Sequence, residues 1–279
     1  MRLLLADCGS TKCHWLAFND GPDCAFSSQG LNPLMLAPDD LHTLLSQALA
    51  NPNLGNIDAV HFYGAGCIGG DVNTLVANTL TSILHCHDIH VYSDILAAAR
   101  ATLQHNPGIA CILGTGCNSC QYDGDNIIKN IPPLGYILGD EGSGADIGKH
   151  VVANALKGLF DPKLTNEFYA FANEDYHSII SHIYSQPRAN AYLAHFARFA
   201  LQHADNEQIV DILIDRFNAF INRNILLYPA NAILRGVGFV GGIAANFSHI
   251  LQGVCLDRGI TLRSIIDAPI NALRLYHSS

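Results

Sequence analysis

The feature that most constrains the fold is a device that occurs twice. Near the start, Leu3-Leu4-Leu5-Ala6 reads as a buried strand, Asp7-Cys8-Gly9-Ser10-Thr11-Lys12 as a polar turn, and Cys13-His14-Trp15-Leu16-Ala17-Phe18 as a returning strand. About one hundred residues later, Ala110-Cys111-Ile112-Leu113 leads into Gly114-Thr115-Gly116-Cys117-Asn118-Ser119, and Cys120-Gln121-Tyr122 runs into the turn Asp123-Gly124. A strand, a small-residue turn and a returning strand, repeated at an offset near the half-length, point to duplication of one α/β unit.

The segments between the two hairpins alternate. Asp39 to Leu49 has helical spacing with an acidic start, Ile57 to Tyr63 reads as a strand ending at Gly64-Ala65-Gly66, and Val72 to Ile83 as a helix. Ile89 to Tyr92 is a short strand stopped by Ser93-Asp94, with a helix from Ile95 to Gln104. Such alternation predicts a mainly parallel sheet with a hairpin edge. Asn106-Pro107-Gly108 marks the boundary, giving one lobe over 1–105 and a second over 106–279. The second holds the glycine-dense stretch Leu134 to Lys149, a helix-rich insertion from about His150 to Leu227, and a buried strand that breaks at Gly241-Gly242.

Composition excludes several classes of function. With 279 residues, 49% of them hydrophobic, the chain can bury a substantial core. Fifteen basic against 24 acidic residues, without runs of like charge, argue against a nucleic-acid or anionic-membrane surface. Asp7 ends the opening apolar run too early for a secretory core, and no stretch approaches the ~20 apolar residues of a bilayer span, so a soluble cytoplasmic protein is expected. Nine cysteines, an odd number placed in apolar strands, read as buried reduced thiols. Cys117-Asn118-Ser119-Cys120 lacks the second ligand pair of a zinc site, and the fourteen histidines, lacking ligand spacing, are expected mostly at the surface.

A turn of Gly9, Ser10, Thr11 and Lys12 after a buried strand offers backbone N–H groups, hydroxyls and an ammonium to a phosphate. Asp7 at its mouth suits water on a Mg²⁺ ion bridging phosphate oxygens. Gly114-Thr115-Gly116 provides a second such cradle. Neither a P-loop nor, after the first strand, a dinucleotide-binding fingerprint is present. Asp94 ends a strand, where ligands meet side chains in α/β folds; it can serve as a general base or simply cap the following helix. Gly139-Asp140-Glu141-Gly142-Ser143 reads either as a polar turn before a helix or as a site for a polyhydroxylated ligand.

Taken together, Asp7 to Lys12, Leu113 to Ser119, Gly135 to Gly144 and Phe239 to Ala244 resemble the BadF/BadG/BcrA/BcrD-type ATPase family over nearly the whole chain. They are most similar to its N-acetylglucosamine kinase-like members, within the actin, sugar kinase and heat-shock chaperone superfamily. The resemblance implies an α/β fold of two duplicated ribonuclease-H-like lobes with an interlobe cleft. It implies ATP and Mg²⁺ held by the two hairpin turns, with Gly241 and Gly242 near the adenosine and Asp94 as catalytic base. Asn32, Gly135, Tyr136 and Asp140 match positions that contact the sugar. Cys13, Cys117 and Gly242 depart from the Thr, Ser and Ser common in similar proteins, each removing a hydroxyl donor worth roughly 1 kcal/mol where buried. The iron–sulfur cysteines of the dehydratase-activator branch are absent.

The expected activity is therefore phosphoryl transfer from Mg-ATP to a hydroxyl of an amino sugar such as N-acetylglucosamine, with a small-molecule sugar as the partner. Oligomeric state is left open between monomer and homodimer. Two alternatives share the nucleotide motifs: an ATPase that drives a partner protein, and a sugar or nucleotide sensor without turnover.

Overall fold

In the computed structural model, which describes residues 1–278, the chain forms two five-stranded sheets of the same topology. The first contains Leu3–Cys8 (β1), Lys12–Phe18 (β2), Cys24–Gln29 (β3), Ala59–Gly64 (β4) and Asp88–Ser93 (β5) in the order β3-β2-β1-β4-β5. Strands β1, β2 and β3 pair antiparallel, whereas β4 and β5 add in parallel through the crossover helices. Helices Pro38–Leu49 (α1), Gly70–Leu84 (α2) and Asp94–Leu103 (α3) complete this alternation.

The second sheet contains Gly108–Leu113 (β6), Cys117–Tyr122 (β7), Ile127–Ile131 (β8), Val237–Val240 (β9) and Leu262–Ile266 (β10), ordered β10-β9-β6-β7-β8. Again the hairpin strands are antiparallel and the last two parallel. The duplicated α/β unit expected from the repeated hairpin is thus present, as is the mixed α/β fold of two ribonuclease-H-like lobes that the resemblance implies. Between β8 and β9 lie Gly135–Leu138 (α4), Gly144–Leu156 (α5), Pro162–Ala172 (α6), Tyr176–Ser185 (α7), Ala189–His195 (α8), Ala197–Gln202 (α9), Glu207–Arg223 (α10) and Ala230–Ile233 (α11). Gly242–Asn246 (α12) and Ser248–Asp257 (α13) join β9 to β10, and Ile270–Ser278 (α14) ends the chain.

Period-two alternation sorts the side chains of β1. Leu4, Ala6 and Cys8 face a core with Trp15, Val60 and Phe62, closed by Leu41, Leu45 and Leu49 of α1 and Val76 and Leu80 of α2. Leu3, Leu5 and Asp7 face the opposite side, where α3 and α14 pack. The second core gathers β6 and β9 with the helical insertion around Phe168, Phe196, Phe199, Phe217, Phe220 and Phe239.

The chain divides compactly into residues 1–104 with 269–279, and residues 105–268. The division falls between residues 104 and 105, and the C-terminal segment, expected with the second lobe, belongs to the first unit. Helix α14 packs on α3, β1 and β2 instead, burying Leu273 and placing Arg274 against Asp23.

One further expectation is corrected. Cys8 and Cys13 form a disulfide rather than two thiols, because they face each other as the last register pair of the β1–β2 hairpin; the other seven cysteines are buried and form no disulfide. Most histidines lie at the surface as expected, but two of the half-buried ones form a cluster. His61 of β4 stacks on His277 of α14 at 3.9 Å and on His90 of β5 at 4.9 Å. Tyr63 accepts a 2.7 Å bond from Arg100 and shares a 2.8 Å bond with His277. Burial, reinforced by the neighbouring rings and the Arg100 guanidinium, holds His61 down to about 4 and His277 to about 3.

Candidate active site

The predicted residues fall into two groups, one in each unit, both at the C-terminal ends of parallel strands, where α/β folds bind ligands. In the first unit, β1, β4 and β5 are in register, so Asp7 lies in the row of Tyr63 and Tyr92, and Asp94 follows two residues beyond Tyr92. Asp94 is the first residue of α3, with Ser93 in the capping position, and its Oδ1 accepts the Ile95 N–H at 2.8 Å. It therefore does not cap the helix in the ordinary way. Burial pushes the Asp94 carboxyl up, partly offset by the Ile95 N–H. Burial, with Asp94 adding a like charge, pushes Asp7 up to about 7. The same Asp94 charge, second to burial, raises the Cys67 thiol to about 12.

The turn between β1 and β2 is closed by a 2.9 Å bond from the Gly9 N–H to the Lys12 carbonyl, and Gly30 N–H donates to the Thr11 carbonyl at 3.1 Å. Gly30 lies so close that a Cβ there would stand 2.3 Å from the Gly9 carbonyl oxygen and 2.4 Å from the Lys12 nitrogen. Among the described residues, the hydroxyls of Ser10 and Thr11 and the ammonium of Lys12 have no hydrogen-bond partner and lie exposed. Asn32 caps the short turn Pro33–Met35 by accepting the Leu34 N–H at 3.1 Å. It presses on Gly66, where a Cβ would meet its Oδ1 at 2.1 Å. That contact joins the loop after β3 to the loop after β4.

In the second unit, Gly114 N–H donates to the Gly116 carbonyl at 3.0 Å, while Gly144 and Ala145, at the start of α5, donate to the Gly114 and Thr115 carbonyls at 2.8 and 3.1 Å. Helix α5 thereby holds the turn by its backbone. Asp140 is buried in a left-handed conformation, φ 55°, and its Oδ1 accepts the Cys117 N–H at 3.1 Å. Its carboxylate lies against Gly116, at 3.1 Å from a Cβ placed there. Burial raises the Asp140 carboxyl, opposed by the Cys117 N–H and by Lys149. Gly241, φ 120°, abuts the end of β6, with its Cβ position 2.4 Å from the Leu113 carbonyl oxygen. Only glycine fits there. Gly242 then opens α12. Gly114, Thr115, Gly116, Asp140, Gly241 and Gly242 are thus gathered at the ends of β6 and β9. Gly135 and Tyr136 belong to the neighbouring α4, where Tyr136 packs on the core.

Several residues of these groups were not singled out from the sequence. Gly30 supports the first turn and Cys67 adjoins Asp94. Asp146, only 3% exposed, accepts the Gly142 N–H at 3.0 Å and so fixes the acidic turn. The signal for Asp146 was legible: Ser143 accepts the Asp146 N–H, a Ser-x-x-acid helix start. Gly30 and Cys67 act through contacts distant in sequence, which no local pattern announces.

No family model matches the chain, and no curated protein matches it. Solved structures do. A protein of Porphyromonas gingivalis provisionally assigned as an N-acetylglucosamine kinase is 38% identical, with a TM-score of 0.93, over 99% of this chain and 98% of that one. A similarly assigned protein of Chromobacterium violaceum is 18% identical, with a TM-score of 0.70, over 99% and 98% of the two chains. A ROK-family glucokinase of Streptomyces griseus, in complex with glucose and AMPPNP, is 14% identical over the full length of both, with a TM-score of 0.61. The duplicated sheets and their glycine turns are those of the actin-like sugar-kinase fold. Within it, the chain belongs to the N-acetylglucosamine kinase-like family represented by the Porphyromonas gingivalis protein.

Proposed function

We propose that this protein is a cytoplasmic ATP-dependent kinase of the BadF/BadG/BcrA/BcrD-type branch, transferring the γ-phosphoryl group of ATP to a hydroxyl of an amino sugar, N-acetylglucosamine. The observation that carries the reading is the pair of recessed carboxylates, Asp7 and Asp94, at the ends of parallel strands beside a turn whose Ser10, Thr11 and Lys12 side chains have no hydrogen-bond partner among the described residues. Family membership at 38% identity supports the same chemistry.

In this reading Asp94 accepts the proton of the attacking hydroxyl. Burial raises its basicity, and an ionised carboxylate in that setting is a stronger base than one in water. Asp7 fits a Mg²⁺ site by its chemistry: hard carboxylate oxygens suit the ion, and a carboxyl held near pH 7 by burial and a like charge lacks the countercharge a divalent cation brings. The ion would neutralise charge on the phosphates. Gly9, Ser10, Thr11 and Lys12 cradle phosphate oxygens from the first unit, and Gly114, Thr115 and Gly116 from the second. Gly241 and Gly242 leave room for the adenosine. Asn32, Gly135, Tyr136 and Asp140 hold the sugar, and exclusion of water from the occupied site keeps ATP from hydrolysis. Catalysis of this kind is mainly positioning and charge stabilisation.

The test is an ADP-release assay with Mg-ATP against a panel of hexoses and amino sugars. The reading requires release that depends on an amino sugar, with N-acetylglucosamine giving the highest kcat/KM. Release indifferent to every sugar would instead indicate an ATPase.

A further inference from the structure

The second unit carries an apolar groove that shares only Tyr136 with the residues of the proposed transfer. Its volume is about 690 Å³, within the range of small-molecule sites, and α4, α5, α7 and α8 line it. Val152, Leu156, Ile180, Ile183 and Leu193 provide an apolar lining. Ile137 and Tyr184 belong to it while remaining 75% and 81% exposed, an unusual outlay of large apolar surface.

Its charge is as distinctive as its shape. In a chain with 24 acidic residues against 15 basic ones, no carboxylate lines the groove, yet Lys149 and Lys157 do. Lys149 is paired at 3.0 Å with buried Asp146. Lys157, at the C-terminal end of α5, has no ion pair among the described residues. The uncompensated cation therefore belongs to an apolar lining that also holds Tyr136, Tyr176 and Tyr184.

We propose that this groove binds a small amphipathic anion: an apolar body bearing one carboxylate, sulfonate or phosphate group, its body on Val152, Leu156, Ile180 and Ile183 and its charge at Lys157. A second copy of the chain suits the groove less well. A twofold interface sets a patch against itself, and this one would bring lysines together with no acidic group in the lining to answer them. Tyr136 links the groove to the proposed sugar contacts, and Lys149 links it through Asp146 to Gly142 of the acidic turn. An occupant is thus placed to alter acceptor binding.

The test uses the full-length protein and reads binding alone, so it stands apart from the kinase reading. The probe is 8-anilinonaphthalene-1-sulfonate, followed by its fluorescence. One saturable site is expected, weakened about tenfold or more by Lys157→Glu, as loss of a charge-assisted contact implies, and preserved by Lys157→Arg. Tyr184→Ser should weaken it as well, and phenyl phosphate should displace the dye where benzyl alcohol at equal concentration does not. Both substituted positions are exposed, and circular dichroism confirms that the variants fold. Affinity indifferent to Lys157→Glu, or equal displacement by benzyl alcohol, overturns the proposal. So does a dimer in sedimentation that Tyr184→Ser dissociates and whose formation excludes the dye.

Discussion

Gly30→Ala tests whether the first phosphate turn is held as rigidly as its contacts indicate. The added Cβ would stand 2.3, 2.4 and 2.5 Å from the Gly9 oxygen, the Lys12 nitrogen and the Thr11 carbonyl carbon. All three are backbone atoms, so no side chain can swing aside and the turn itself must move. Overpacking of this kind costs about 1–3 kcal/mol, and stretching the Gly30 N–H to Thr11 carbonyl bond adds roughly 0.5–1.5 kcal/mol. Against this, replacing glycine stiffens the unfolded chain by only ~0.4–1 kcal/mol, so the clash wins. Urea denaturation should show a net loss of about 1–3 kcal/mol, and calorimetry with AMPPNP a roughly 10–100-fold weaker affinity, since displaced donors lose alignment with the phosphates. Gly9→Ala is the matched control for stability. Its Cβ meets nothing closer than the Lys12 oxygen at 3.4 Å, so folding should stay within about 0.5 kcal/mol of wild type. A Gly30→Ala protein with wild-type stability and nucleotide affinity would mean that the turn is slack and that the close approach of β3 has no consequence for binding.

Asp94→Asn should keep AMPPNP binding while sugar phosphorylation falls by orders of magnitude; unchanged turnover defeats its role as base. Asp7 holds its proton up to about pH 7 in the folded protein against 3.8 unfolded. Without Mg²⁺, stability should therefore fall as pH rises between those values, by on the order of a few kcal/mol, and Asp7→Asn should flatten that slope in thermal melts. The imidazoles of His61 and His277 act in the opposite sense. Held to about 4 and 3 among His90 and Asp88 of β5, Arg100 of α3, Tyr63, Tyr92 and Tyr276, they contribute stability above pH 6.5 that is lost as pH falls through 4 and 3. His277→Phe should shallow the acid limb of the melting curve, and an unchanged limb would show that α14 leaves before the rings charge.

Much of this was legible in the sequence because it is written in short-range terms. The strands around Leu4, Phe62 and Ile112 are apolar runs bounded by glycine, and helices α1, α2 and α3 begin and end within two residues of the expected positions. Strands β3, β8 and β10 were missed: Cys-Ala-Phe-Ser-Ser-Gln, Ile-Ile-Lys-Asn-Ile and Leu-Arg-Ser-Ile-Ile each lie at or toward a sheet edge, where one face stays wet and the apolar signal is diluted. The return of α14 to the first unit was invisible for a different reason. It depends on the pairing of His277 with Tyr63 and His61, contacts across more than two hundred residues that polar aromatic rings satisfy without any periodic pattern. The Cys8–Cys13 bond escaped because composition describes the average cysteine, whereas the outcome was set by one register pair in a hairpin.

The duplication also clarifies why the two units share one duty and divide another. Aligning strand ends, Asp7 of β1 corresponds to Ile112 of β6, and Asp94 after β5 corresponds to Asp267 after β10. The glycine turns are common to both units, as the proposed cradling of a polyphosphate requires only backbone donors and small side chains. The carboxylate pair is not common. Asp267 stands exposed, with no acidic neighbour in the Ile112 position, while Asp94 is recessed and shares its field with Asp7. A carboxylate at the end of the last parallel strand is therefore insufficient by itself to make a base. Desolvation is what raises the proton affinity of Asp94, and its charge in turn raises that of Asp7; only the first unit supplies this pair.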